Sequence, residues 1–160
     1  MFETIYGWFS SMYGGDLDDY LIGFTRMINS EGDPVWEANH YVMFGFIALG
    51  IALLIAATYY YVINSASFNS FGSWLIMLSV TGVSNLLIGA CVLISRLNSG
   101  EIDRCLDEIT QDGEVLYENS VTIADCWMFG LANLFLSVAF FIIISFVIKW
   151  GSTNCKRIPF

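Results

Sequence analysis

The chain has 160 residues, of which 56% are hydrophobic and only 13% charged, against roughly 25% charged in a soluble globular domain. Its net charge of −9 disfavours binding to nucleic-acid phosphates, which rests on Lys and Arg, and no nucleic-acid partner is expected. The charges are also segregated. All fifteen Asp and Glu fall within residues 3–37 and 101–125, and no Asp, Glu, Lys or Arg occurs in residues 38–95 or 126–148. Windows that long without charge are what a bilayer selects, since a charge at its centre costs several kcal/mol. The pattern predicts an all-α integral membrane protein in one membrane domain over 1–160. It has three transmembrane helices, two short N-terminal amphipathic interfacial helices, and an acidic helical loop between transmembrane helices 2 and 3.

Residues 1–33 form the interfacial part. The opening MFETIYGWF carries an acid where a secretory signal has basic residues, so the first span is expected to act as its own insertion signal. Phe2, Ile5, Tyr6, Phe9, Met12 and Tyr13 recur at helical spacing and predict one amphipathic helix. Gly14-Gly15 breaks it. Asp16 is then the expected N-cap of a second helix, with Leu17, Tyr20, Leu21, Phe24, Met27 and Ile28 on one face. Neither helix has the unbroken apolar length to span, so both are expected to lie at the interface or dock on neighbours.

The first span is assigned to 34–63, with Asp33-Pro34 as its start signal and an apolar stretch from Tyr41 to Ile63. That length meets the ~20 residues a bilayer requires. A polar, charge-free turn leads to the second span, 71–95, stopped by Arg96. The acidic loop occupies 96–125, the third span 126–148 and a basic tail 149–160. Within the loop, Ser99 is expected to cap a helix with an apolar stripe of Ile102, Cys105, Leu106 and Ile109, a docking surface for a partner. Trp36, Tyr41 and Trp127 would mark one membrane interface, and Tyr59 to Tyr61, Trp74 and Trp150 the other.

Three spans put every acid on one side. Lys and Arg tie at three on each side, but the tail packs its three into twelve residues. The positive-inside rule then places the tail in the cytoplasm and the N-terminal and 96–125 segments outside.

Small and polar residues inside the spans are the candidate interaction sites. Ala48, Ala52 and Ala56 form a small-residue ridge in the first span. Gly82, Asn85 and Gly89 share a face of the second, and Gly130, Asn133 and Ser137 a face of the third. At 1.5 Å per residue Asn85 lies ~16 Å and Asn133 ~10 Å from the acidic end, and a buried amide there needs a protein partner. They read as helix–helix contacts or as the lining of a polar path.

Cys105 and Cys126 lie on the same side, leaving a disulfide and two free thiols equally open. His40 beside Glu37 is the sole candidate for acid–base chemistry, and an interfacial hydrogen-bonding role is the simpler reading. No catalytic, metal-binding or cofactor-binding constellation is legible: there is one His, no CxxC, and no alternating acid pattern of a calcium loop. The expected partners are membrane lipid and other membrane subunits or copies of the chain. The expected role is a non-enzymatic structural or accessory subunit of a larger membrane complex, such as a secretion machine, a channel or receptor complex, or an energy-transducing complex. The alternative is a homo-oligomeric cation-selective pore with an acidic vestibule.

Overall fold

Three long helices carry the architecture of the computed structural model, which describes residues 1–28, 34–36, 38–62, 71–109 and 115–151. Helix α4 covers His40–Ala57 and continues as a π-helical turn over Thr58–Val62. Helix α5 covers Phe71–Asn98 and α7 covers Ile123–Gly151. All three are long and apolar enough to cross a membrane. The chain is membrane-embedded, and its described residues are mainly helical.

Short elements gather at the acidic end. Helices α1 (Phe2–Gly7), α2 (Ser10–Tyr13) and α3 (Gly15–Ile22) precede strands β1 (Phe24–Ile28) and β2 (Pro34–Trp36). Helix α6 (Glu101–Leu106) and strands β3 (Glu108–Ile109) and β4 (Val115–Tyr117) lie between α5 and α7. The strands pair as two antiparallel two-stranded ribbons, β1 with β2 and β3 with β4. Phe24 stands opposite Trp36, and Glu108 opposite Tyr117.

Several expected boundaries are corrected. The first amphipathic stretch is two helices, because the chain turns at Trp8-Phe9. The second ends at Ile22 rather than continuing through Ile28. Gly23 adopts φ +92°, the left-handed cap conformation that glycine adopts without steric cost, and Phe24 onward enters β1. Asp16 lies inside the first turn of α3, whose N-cap is Gly14. Pro34 starts β2 and not the first span, which begins at His40 after Asn39; Asp33 lies outside the described residues. Ser99 caps no helix: Gly100, at φ +69°, precedes α6. The loop helix stops at Leu106, so Ile109 belongs to a strand and not to a helical stripe.

The second span runs on to Asn98, and the third starts at Ile123. Thr122 and Asp125 fix that start reciprocally. The Asp125 carboxylate accepts from Thr122 N–H and Oγ1, at 2.8 and 2.6 Å, while Asp125 N–H donates to Thr122 Oγ1 at 3.4 Å. This is a capping box with Asp in the usual Glu position. The 64–70 turn and tail residues 152–160 lie outside the described residues.

The N-terminal helices dock on this chain's own spans. Phe2 meets the rings of Phe46 and Phe140 edge-on, at 5.3 and 6.3 Å between centroids, and Phe9 stacks on Phe135 at 6.3 Å. The absence of a side chain at Gly45 makes room: a Cβ there would collide with the Phe2 ring.

Candidate functional site

The acidic end is a folded cap on an aromatic floor. Tyr6, Tyr13, Leu17, Tyr20 and Leu21 from the N-terminal helices are buried in one cluster with Tyr41, Phe44, Leu93, Ile102, Leu106 and Phe129. Tyr6 stacks on Tyr41 at 4.9 Å, and Phe129 meets Tyr13 edge-on at 5.4 Å. Area burial of this kind stabilises by about 25 cal/mol per Å2, but it obliges every phenol to find a partner.

They do. Tyr6 donates its hydroxyl proton to Asn133 Oδ1 on α7. The Tyr13 hydroxyl lies 3.1 Å from the Tyr6 carbonyl and 2.8 Å from the Tyr41 hydroxyl, whose own proton goes to the Asp18 carboxylate. Burial, reinforced by neighbouring Tyr13, raises the Tyr6 phenol far above its ordinary range. Burial also raises Tyr13, against a smaller lowering by the hydrogen bond to Tyr41.

A second knot centres on Arg96, at the end of α5. Its Nη1 donates to the Tyr20 hydroxyl at 2.8 Å and to Glu101 Oε1 at 3.1 Å, and lies 3.3 Å from Nδ1 of His40. Tyr20 donates to the same Glu101 oxygen at 2.8 Å and stacks on the His40 ring at 4.9 Å. Burial raises the Tyr20 phenol, opposed by the hydrogen bond from Arg96. Four elements are joined here: α3, the start of α4, the end of α5, and α6.

The loop is laced down by an acid of α3 and by two of its own. Asp16 accepts from the Tyr117 hydroxyl at 2.6 Å and from Ser120 N and Oγ at 2.9 and 2.6 Å. Asn119 spans the other side, its amide donating to Asp103 at 3.0 Å and to Asp107 at 2.7 Å. These carboxylates accept hydrogen bonds within the cap and thereby hold its conformation.

The predicted interaction residues fall into two groups. Ala48, Ala52 and Ala56 are buried, as are Gly82, Asn85, Gly89, Gly130, Asn133 and Ser137. A Cβ at Gly130 would lie 2.8 Å from the Leu86 carbonyl oxygen and 3.1 Å from Ala90 Cβ. A Cβ at Gly82 would lie 3.2 Å from Leu134 and Val138. Asn133 fills the space opposite Gly89. Asn85 donates to the Thr81 carbonyl of its own helix at 3.1 Å, and the Asn133 amide nitrogen has no partner among the described residues. Both amides are 2% exposed and lie inside one chain.

In the loop, Ile102 and Leu106 are fully buried in the floor and not presented as a free stripe. Cys105 and Cys126 are buried and carry no disulfide. His40 belongs to the Arg96 knot; Glu37 lies outside the described residues. Tyr41, expected at the lipid interface, is buried. Among the described residues no group of three or more His, Cys, Asp or Glu is placed to hold a metal ion.

Sequence reasoning missed the tyrosines. Tyr6, Tyr13 and Tyr20 recur every seven residues on apolar faces, and a run of phenols beside an acid-rich loop is a signal for phenol–carboxylate hydrogen bonds. No protein-family model, curated protein or solved structure matches the chain.

Proposed function

We propose that the chain is a non-enzymatic subunit of a larger membrane assembly, offering its acid-rich cap as a preorganised docking face to a partner of opposite charge. The observation supporting this is the bonding of the cap's carboxylates. Asp16, Asp18, Glu101, Asp103 and Asp107 each accept from a Tyr, Ser, Asn or Arg of the same chain. Such bonds hold the surface in one conformation before a partner arrives, which lowers the ordering cost of association. Residues 1–37 and 96–125 together hold fifteen acids and three bases, a field that steers basic partners. A pore lined by Asn85 and Asn133 would need those amides on an outer surface of the chain, and their burial gives that reading no support.

The cap is proposed to face outside, with the basic tail in the cytoplasm. Because Cys105 is buried, the discriminating pair for an impermeant thiol label in intact cells is Cys155 against a Glu118→Cys substitution at an exposed loop position. Labelling of position 118 alone agrees with this orientation, and labelling of Cys155 alone reverses it.

The docking role is tested by a photo-crosslinking amino acid placed at Glu118 or, as a lipid-facing control, at Val83. The expected outcome is one discrete heterologous adduct from position 118, weakened by salt. Equal adducts from both positions, or none from 118, would refute the docking role.

A further inference from the structure

The opposite end of the bundle carries a different feature. A cavity of about 220 Å3 lies where the end of the first span meets the second and third, lined by Tyr60, Phe71, Trp74, Ile142, Ser145 and Phe146. Five of these six side chains are apolar or aromatic. The sixth, Ser145, is 5% exposed, and its hydroxyl has no hydrogen-bond partner among the described residues. A buried hydroxyl without a partner costs about 1–3 kcal/mol, and serines in spanning helices usually return their proton to a backbone carbonyl, as Ser79 and Ser137 do here.

We propose that this cavity binds an anionic glycerophospholipid of the leaflet next to the C-terminal tail, its acyl chain among the aromatic rings and its ester carbonyl accepting from Ser145 Oγ. Three observations converge on that ligand. The cavity is continuous with the lipid-facing surface, since Phe146 lines it while remaining 52% exposed beside Ile143 and Val147. Hydrocarbon therefore reaches it directly, and an apolar cavity does not hold water. The depth is also right. Ser145 stands four residues, about 6 Å, inside Lys149, close to the aromatic belt level that Tyr60 and Trp74 share. Finally, position 149 follows Ser145 by one helical turn in α7 and therefore shares its face, and the sequence puts a lysine there. A diacyl phospholipid carries on one molecule the three groups that the rings, Ser145 and position 149 would take: hydrocarbon, ester and phosphate.

The test uses the full chain reconstituted in phosphatidylcholine vesicles containing a minor fraction of phosphatidylglycerol with a diazirine in its upper acyl chain. Photolysis and peptide mapping should concentrate label on Trp74, Ile142 and Phe146, with competition by unlabelled phosphatidylglycerol but not by phosphatidylcholine. Ser145→Ala should weaken apparent affinity about two- to tenfold, the loss of one hydrogen bond. Lys149→Gln should remove the preference for the anionic headgroup while the acyl-chain label persists. Trp fluorescence and thermal unfolding of both variants verify their fold. Label spread evenly over lipid-facing residues such as Phe46 and Phe135, or competition equal for both lipids, would overturn the site. So would undiminished labelling in folded Ser145→Ala.

Discussion

Gly130→Ala isolates the contact that holds the second and third spans together. The added Cβ would stand 2.8 Å from the Leu86 carbonyl oxygen and 3.1 Å from Ala90 Cβ. The first neighbour is backbone of a spanning helix, so relief requires α5 and α7 to separate and cannot come from turning a side chain. Overpacking of this kind costs typically 1–3 kcal/mol. Replacing a helical glycine by alanine also has a benefit, about 1 kcal/mol of helix propensity, which partly offsets the clash. Gly50→Ala supplies the correction: it sits in α4, and a Cβ there meets nothing within 4 Å. Gly50→Ala should therefore be neutral or stabilising by up to ~1 kcal/mol. The difference between the two variants then reports the steric cost alone, about 1–3 kcal/mol or roughly 5–150-fold in the unfolding constant. The assay is equilibrium unfolding of purified protein in mixed micelles titrated with denaturing detergent. Equal stabilities for the two variants would refute the close α5–α7 approach at Gly130.

Three further outcomes follow from the cap. Tyr6→Phe leaves Asn133 Oδ1 without its donor and should cost about 1–3 kcal/mol in the same unfolding assay. Adding Asn133→Leu removes both partners and should recover part of that loss, a coupling that a double-mutant cycle reads directly. Alkaline pH should unfold the cap. The buried phenols of Tyr6, Tyr13 and Tyr20 titrate above their ordinary value of 10.0, so the folded state holds protons the unfolded state releases. Their contribution is fully present below pH 10 and is lost as pH rises beyond it, visible as tyrosinate absorbance appearing together with loss of structure and not before it. Asn119→Ala releases the clamp between Asp103 and Asp107, and limited proteolysis should then cut the 107–118 segment faster while the spans stay protected.

The three spans were legible because the bilayer imposes a rule on composition: residues 38–95 and 126–148 carry no charge, and the helices His40–Ala57, Phe71–Asn98 and Ile123–Gly151 lie mostly within them. Their ends were less legible. Pro34 reads in sequence as a helix start, a role proline fills well, but residues 34–36 pair with β1 and the helix waits for His40. Periodicity ran Leu17 to Ile28 together as one helix, while Gly23 stops α3 through its backbone conformation. The Thr122–Asp125 box is legible as a Thr-x-x-Asp signature ahead of an apolar run. The tyrosine network lay beyond sequence reasoning for a different reason. Tyr6 and Asn133 are 127 positions apart, and Tyr117 and Asp16 are 101 apart. Helical spacing says that Tyr6 faces inward; it does not say which amide it meets.

The proposed docking of the acidic cap on a partner of opposite charge can be read out by purifying the full chain from its native membrane in mild detergent and determining the mass and composition of what co-purifies. The expected result is a defined set of different subunits in fixed ratio, released as salt rises because screening weakens the cap's field. A symmetric oligomer of this chain alone, stable to salt, would contradict it.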